Sequence, residues 1–140
     1  MILSNLEIQK AIDEGRLRIT PDPQPRSPEY PDCPYNTTAV DLHLGEAIAI
    51  PKEGPFNYDL RKGGFATFLA TNSLHKQLTE DGYVLEPKKF VLGLTMERVT
   101  LPIAPGNTLA ARIEGKSSIA RCGLLVHLQP RLYMRDSMEH

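Results

Sequence analysis

The chain has 140 residues, 41% of them hydrophobic and 24% charged, which is the size and balance of one globular domain with a modest core. Sixteen basic residues against 17 acidic ones leave a formal net charge of -1, which argues against nucleic acid or an anionic membrane held by bulk charge. A compact anion held by a few placed groups stays within reach. Cys33 and Cys122 are the only cysteines and lack Cys-x-x-Cys spacing, so the sequence argues against a disulfide framework and a structural zinc site, and free thiols are expected. Residues 1–15 mix acidic and basic side chains without a long apolar run, so neither a signal peptide nor a membrane span is read and a cytoplasmic location is expected. Asn36-Thr37-Thr38 matches a glycosylation tripeptide that has meaning only in the secretory pathway, and is read as chance.

In chain order, Ser4 and Glu7 have the spacing of a capping box, and Leu6, Ala11 and Ile12 follow as an apolar stripe that ends at Gly15, a residue suited to a left-handed helix end. This predicts a short N-terminal helix. Six prolines between Pro21 and Pro34 remove backbone donors and predict a surface loop, and no basic flank accompanies a P-x-x-P run that could act as a ligand motif. Beyond the loop, alternating or short apolar runs predict strands at residues 39–44, 47–50, 90–94, 99–103, 108–113 and 124–128, with Pro102, Pro105-Gly106, Gly115 and Gly123 between them. Residues 70–78 read equally as helix or loop. The pattern is mainly β, an antiparallel sandwich or barrel without internal repeats.

Gly115-Lys116-Ser117-Ser118 has the look of the end of a phosphate-binding P-loop, but that motif needs a glycine where Ala110 stands. What remains is a glycine, a cation, two hydroxyls and then Arg121, four residues beyond Ser117. Such a set can gather charge-assisted donors around a polyphosphate, but from these residues alone a β-turn with a solvated Lys and Arg is the favoured reading. His43, His75, His127 and His140 have no metal-ligand spacing, and His127, at the end of an apolar run, reads as a packed histidine. The H-x-E and P-C-x-x-C segments of zinc-dependent cytidine deaminases are absent from the sequence, so no zinc is expected.

The wider run Arg112-Ile-Glu-Gly-Lys-Ser-Ser-Ile-Ala-Arg-Cys-Gly-Leu-Leu-Val-His127 resembles the G-R-S-S-L-A-R-x-G-L-x-V-H signature of the dCTP deaminases in the trimeric dUTPase-like superfamily. Met1-Ile2-Leu3-Ser4, Val40-Asp41-Leu42-His43-Leu44-Gly45 and the segment from Phe90-Val91-Leu92-Gly93 to Thr95-Met96-Glu97-Arg98-Val99 are similar, in order, to further segments of that family. The resemblance covers residues 1–127. It implies a dUTPase-like distorted β-sandwich or barrel with a short N-terminal helix, and a homotrimer with sites between subunits. It also implies dCTP and dUTP as ligands, magnesium carried by the triphosphate, and water activated by a glutamate without zinc.

Carried over residue by residue, the triphosphate-binding segment falls on Lys116, Ser117, Ser118, Ile119, Ala120 and Arg121, with Ser117 and Arg121 in supporting catalytic roles beside the base. Lys116 departs from the arginine that is commoner there, keeping the charge and losing the planar fork that suits phosphate. Asp41 is similar to a carboxylate near the metal-nucleotide of dUTPases, and reads as well as a polar residue on the solvent face of a strand.

After His127 the resemblance stops. Residues 128–140 form a non-matching tail whose carboxylates, Asp136 and Glu139, match no family segment, so the general-base glutamate and the last strands are expected to be missing from this chain. Leu128 to His140 can be encoded so that reading from the third base gives Thr-Ala-Pro-Thr-Ile-Tyr-Ala-Gly-Phe-Asp-Gly-Thr, a sequence similar to the family's continuation. A frameshift near codon 128 followed by early termination is therefore expected, together with loss of deaminase activity in the short chain. Three classes of function stand at this point. They are dCTP deamination, with dUTP diphosphatase alone or coupled to it as the variant; non-catalytic nucleotide binding; and a fragment without function.

Overall fold

The computed structural model describes residues 2–54, 57–103 and 109–126. Expectations for Thr108, His127 and the tail at residues 128–140 lie outside the described residues. The chain divides into two units, Met1–Asp41 with Glu97–His140, and Leu42–Met96.

In the first unit, helix α1 spans Asn5–Asp13 and begins with the expected box. The Glu7 backbone N–H reaches Ser4 Oγ at 3.4 Å, and the Ser4 backbone N–H donates to Glu7 Oε2 at 2.8 Å. The Ser4 backbone N–H foremost, and then the Ser4 hydroxyl, which donates to the same Oε2 at 3.0 Å, favour the ionised carboxylate and hold Glu7 below the ordinary glutamate range. The helix stops where expected: Gly15 has φ +70°, and the N–H groups of Gly15 and Arg16 donate to the carbonyls of Ile12 (3.0 Å) and Ala11 (2.9 Å). Its inner face buries Ile8 and Ala11, which form the core of the unit together with Leu17, Ile19 and Tyr35.

Strand β1 (Arg18–Thr20) pairs antiparallel with β5 (Arg98–Thr100), placing Ile19 opposite Val99. The proline-rich loop then runs back to α1. Arg26 donates to Asp13 Oδ1 at 2.6 Å and to Asp22 Oδ2 at 2.9 Å, while its own carbonyl accepts from Gln9 Nε2 at 3.0 Å. The loop ends in a small hairpin, with Tyr35 bridged to Val40 and the Asn36 N–H donating to the Ala39 carbonyl at 2.8 Å. Thr37 supplies the carbonyl that receives the Asn5 N–H at 2.9 Å, satisfying one of the donors that a helix start leaves open.

In the second unit, β2 (Leu44–Pro51) is the centre of a three-stranded antiparallel sheet between β3 (Ser73–Gln77) and β4 (Leu92–Thr95). A register shift between Leu44 and Ile48 interrupts the β2–β4 ladder, and Ile48 is buried beneath it. A 3-10 turn at Leu60–Lys62 precedes helix α2, Phe65–Thr71, where Tyr58 packs its ring 4.7 Å from that of Phe68 and 5.4 Å from that of Phe65.

Short strands in antiparallel sheets with a short N-terminal helix match the expected mainly β class. Several boundaries differ for identifiable reasons. Residues 70–78, read as helix or loop, contain the end of α2 and the whole of β3, a strand whose one apolar residue, Leu74, hides it from a hydrophobicity pattern. Asn72 ends α2 by donating its side-chain amide to the Phe68 carbonyl at 2.8 Å. The run expected at 99–103 stops at Thr100, two residues before Pro102, which has no N–H for a ladder. Of the run expected at 39–44, only Val40 forms a bridge and Leu44 begins β2, because residues 36–39 form the hairpin turn. The described parts of two further expected strands, residues 109–113 and 124–126, form no ladder, since an apolar run becomes a strand only where another strand pairs with it. Strand β1 was not expected from the sequence. Among the described residues, no helix is long and apolar enough to cross a membrane.

Two outcomes check this account. Replacing Ser4 with Ala removes the cap and should lower stability by about 1 kcal/mol. Because Glu7 titrates below its unfolded value, its contribution is complete above the ordinary glutamate range and is lost as pH falls through the lowered value, so Ser4→Ala, which removes the hydroxyl and keeps the larger backbone donor, should flatten the acid limb of the stability profile only slightly. Arg26→Ala should lower the unfolding free energy measured by urea titration by about 1–2 kcal/mol, discounting for partial exposure, whereas removing the exposed Arg61 should leave it unchanged.

Candidate nucleotide site

The segment that carries the candidate residues is a short helix, α3, spanning Ser117–Arg121, with Lys116 as its N-cap in extended conformation (φ -63°, ψ 132°). From the residues alone a turn with a solvated Lys and Arg is the favoured reading. The helix is set by how it stops. Gly123 adopts φ +84° and donates its N–H to the Ala120 carbonyl at 3.0 Å, while the Leu124 N–H reaches the Ile119 carbonyl at 3.4 Å, the paired bonds of a glycine-terminated helix end. A residue with a Cβ would be strained at Gly123, so this glycine determines that the preceding residues close into a helical turn.

Helical spacing has a chemical consequence. Ser117 and Arg121 are four residues apart and Ser118 and Arg121 three apart, so both hydroxyls and the guanidinium share one side of α3. All six residues, from Lys116 to Arg121, are solvent-exposed. Gly115 holds the segment close to the chain that follows it: a Cβ built at Gly115 would stand 3.0 Å from that of Val126, tighter than ordinary packing.

Asp41 is the residue for which the sequence left two readings open. It sits just beyond the small hairpin, its backbone N–H held by the Pro34 carbonyl at 2.8 Å, and it belongs to no strand. Its Oδ2 lies 2.6 Å from Lys116 Nζ, with the two side chains 30% and 54% exposed. Arg112 is also paired, with Glu114. Two of the three cations of the segment therefore carry carboxylate partners, and Arg121 has none among the described residues.

The segment thus offers two hydroxyls and one guanidinium on a single face, with an ammonium at the start of the turn. That donor set suits phosphate oxygens. A hollow lined by Leu44, Gly45, Glu46, Leu78, Thr79 and Glu80 contains none of these residues, and its carboxylates are poor neighbours for an anion. Among the described residues no three of His, Cys, Asp and Glu gather in a way that could hold a metal directly. If the glycine stop sets the helix, Gly123→Ala should cost about 1 kcal/mol or more and Gly123→Asn less, since asparagine tolerates the left-handed region better. Equal losses in thermal unfolding would show that the stop does not depend on that conformation.

Comparison with known proteins agrees with the resemblance. A sequence model of the dCTP deaminase-like family matches residues 2–133. A Sulfurihydrogenibium protein named dCTP deaminase, dUMP-forming, is 36% identical over 127 residues, covering 90% of this chain and 61% of the relative. A Marinomonas dCTP deaminase is 33% identical over 133 residues, covering 91% and 63%, and the dUMP-forming dCTP deaminase of Aquifex aeolicus is 32% identical over 126 residues, covering 90% and 59%. The chain spans about three-fifths of the length of these curated relatives. With nearly its whole length matched by the family and the signature segment folded into a phosphate-suited turn, the chain belongs to the dCTP deaminase-like family.

Proposed function

We propose that the chain binds the triphosphate of dCTP through Lys116, Ser117, Ser118, Ile119, Ala120 and Arg121, and that it serves the hydrolytic conversion of dCTP and water into dUTP and ammonia. The single observation that supports this most is the shared face of α3, where Ser117, Ser118 and Arg121 lie together. In that reaction water adds to the ring carbon that bears the amino group, and the amine leaves as ammonia after gaining a proton. The Arg121 guanidinium stays protonated and so acts by holding charge, and the Ser117 hydroxyl can orient a water or the base. No residue of this chain is assigned the general-base role.

Magnesium, carried by the triphosphate, fits this donor set. Serines and cations bind phosphate oxygens and leave the metal to the phosphates themselves, where it would screen their charge. Ligand binding between subunits of a homotrimer is the assembly we propose, supported by the exposed apolar Ile119, Leu124, Leu125 and Val126 in and beside the segment. A cytoplasmic location is proposed on the free Cys33 and Cys122. The dUMP-forming name of the Sulfurihydrogenibium relative favours one second reading, deamination coupled to loss of diphosphate, in which the product is dUMP.

Calorimetric titration with dCTP and magnesium tests the site. Arg121→Ala removes a charge-assisted contact and should weaken binding about tenfold or more, whereas Arg16→Ala, whose partner is the neighbouring Glu14, should leave it unchanged. Equal effects of the two substitutions would count against the site. Ammonia release, with dUTP and dUMP resolved chromatographically, separates the two product readings.

A further inference from the structure

Within the candidate site one contact works against phosphate binding. Lys116 Nζ is engaged by the Asp41 carboxylate at 2.6 Å, so the cation that opens the turn is already neutralised by a group of the chain itself. The carboxylate is not placed there by the flexibility of a long side chain. Its backbone is held by the Pro34 carbonyl at 2.8 Å, and the adjoining hairpin is pinned to the start of α1 through Thr37 and Asn5 at 2.9 Å. An aspartate so fixed is held beside Lys116 by contacts that lie outside residues 116–121.

We propose that Asp41 is an internal counter-ion of the phosphate site: it occupies Lys116 in the free protein and is displaced from it by a polyphosphate, setting the affinity of the site below what its cations alone would give. The inference rests on the nucleotide reading of residues 116–121 and adds a determinant to it. The physical reason is competition. A carboxylate and a phosphate oxygen seek the same ammonium protons, and an ion pair that must open before the ligand can use Lys116 subtracts its own free energy from binding. A polyphosphate carries several charges and can offset that loss by engaging Arg121 and the two serines at once. A single-charge anion has no such surplus.

The test uses inorganic tripolyphosphate as the probe, with a chelator present so that no divalent metal bridges the ligand and Asp41. Titrations are made on the full chain and on its Asp41→Asn, Lys116→Gln, Asp41→Asn/Lys116→Gln and Arg121→Ala variants. Asp41→Asn keeps the shape and the backbone bond to Pro34, and should bind tripolyphosphate about two- to fivefold more tightly, the range that an exposed ion pair supports. In the Lys116→Gln background the same substitution should have no effect, because there is no pair left to open. A gain that persists in that background would show only the general field of a removed negative charge, and would overturn the inference. Weaker or unchanged binding by Asp41→Asn, with Arg121→Ala still weakening it, would also overturn the inference and leave the nucleotide reading intact. Absence of tripolyphosphate binding by the parent and all variants would sink the nucleotide reading, and this inference with it.

Discussion

The first unit is organised by one side chain, Arg26. Its guanidinium bridges Asp13 at the end of α1 and Asp22 in the proline-rich loop, and its backbone carbonyl receives the amide of Gln9 from the middle of the same helix. With only 27% of the side chain exposed, these are charge-assisted bonds in a partly desolvated place, where each is stronger than an open surface pair. The Asp13 bond is the largest cause holding the guanidinium in its charged form, against the desolvation that opposes it. Beside it Tyr35 is buried, and burial pushes its phenol above its ordinary value. Everything that follows in the unit inherits this fixing of the loop: the loop carries the hairpin, the hairpin carries Asp41, and Asp41 meets Lys116.

The candidate site shows the opposite economy of structure. A turn of five helical residues has almost no intrinsic stability, since nucleation fixes several torsions for each bond gained. What holds α3 is local: the left-handed Gly123 at its end and the close approach of Gly115 to Val126. Its residues are exposed, which leaves the donors accessible, and ordering exposed side chains around any ligand would cost affinity. The arrangement suits a ligand that supplies many charge-assisted contacts at once.

Charge within the segment is nearly balanced before any ligand arrives. Arg112 has Glu114 and Lys116 has Asp41, so the attraction felt by an approaching anion comes chiefly from Arg121. The lysine at position 116 matters in this light. An ammonium has no planar fork and offers three rotatable donors, so it can move between a carboxylate and a phosphate oxygen with little geometric penalty, where an arginine would favour one bidentate partner.

How much could be read without coordinates differs from element to element. Ser4, Glu7 and Gly15 determined α1 from start to stop, because a capping box and a left-handed glycine act through backbone groups only a few residues away. The signature from Arg112 to His127 determined the family and the candidate phosphate donors, since the order of side-chain chemistries along a short segment needs no fold to be recognised. Strand β3 was illegible: its polar residues join a sheet only because β2 offers a ladder 22 to 30 residues away in sequence, and that pairing is non-local. The runs at 109–113 and 124–126 failed in the converse way, apolar enough for strands but without a ladder partner among the described residues. Sequence alone also named Asp41 and Lys116 separately, one left with two readings and the other as a phosphate donor. Only the tertiary structure put them 2.6 Å apart, because that distance depends on the loop, hairpin and helix contacts between two segments 75 positions apart, and no local pattern encodes it.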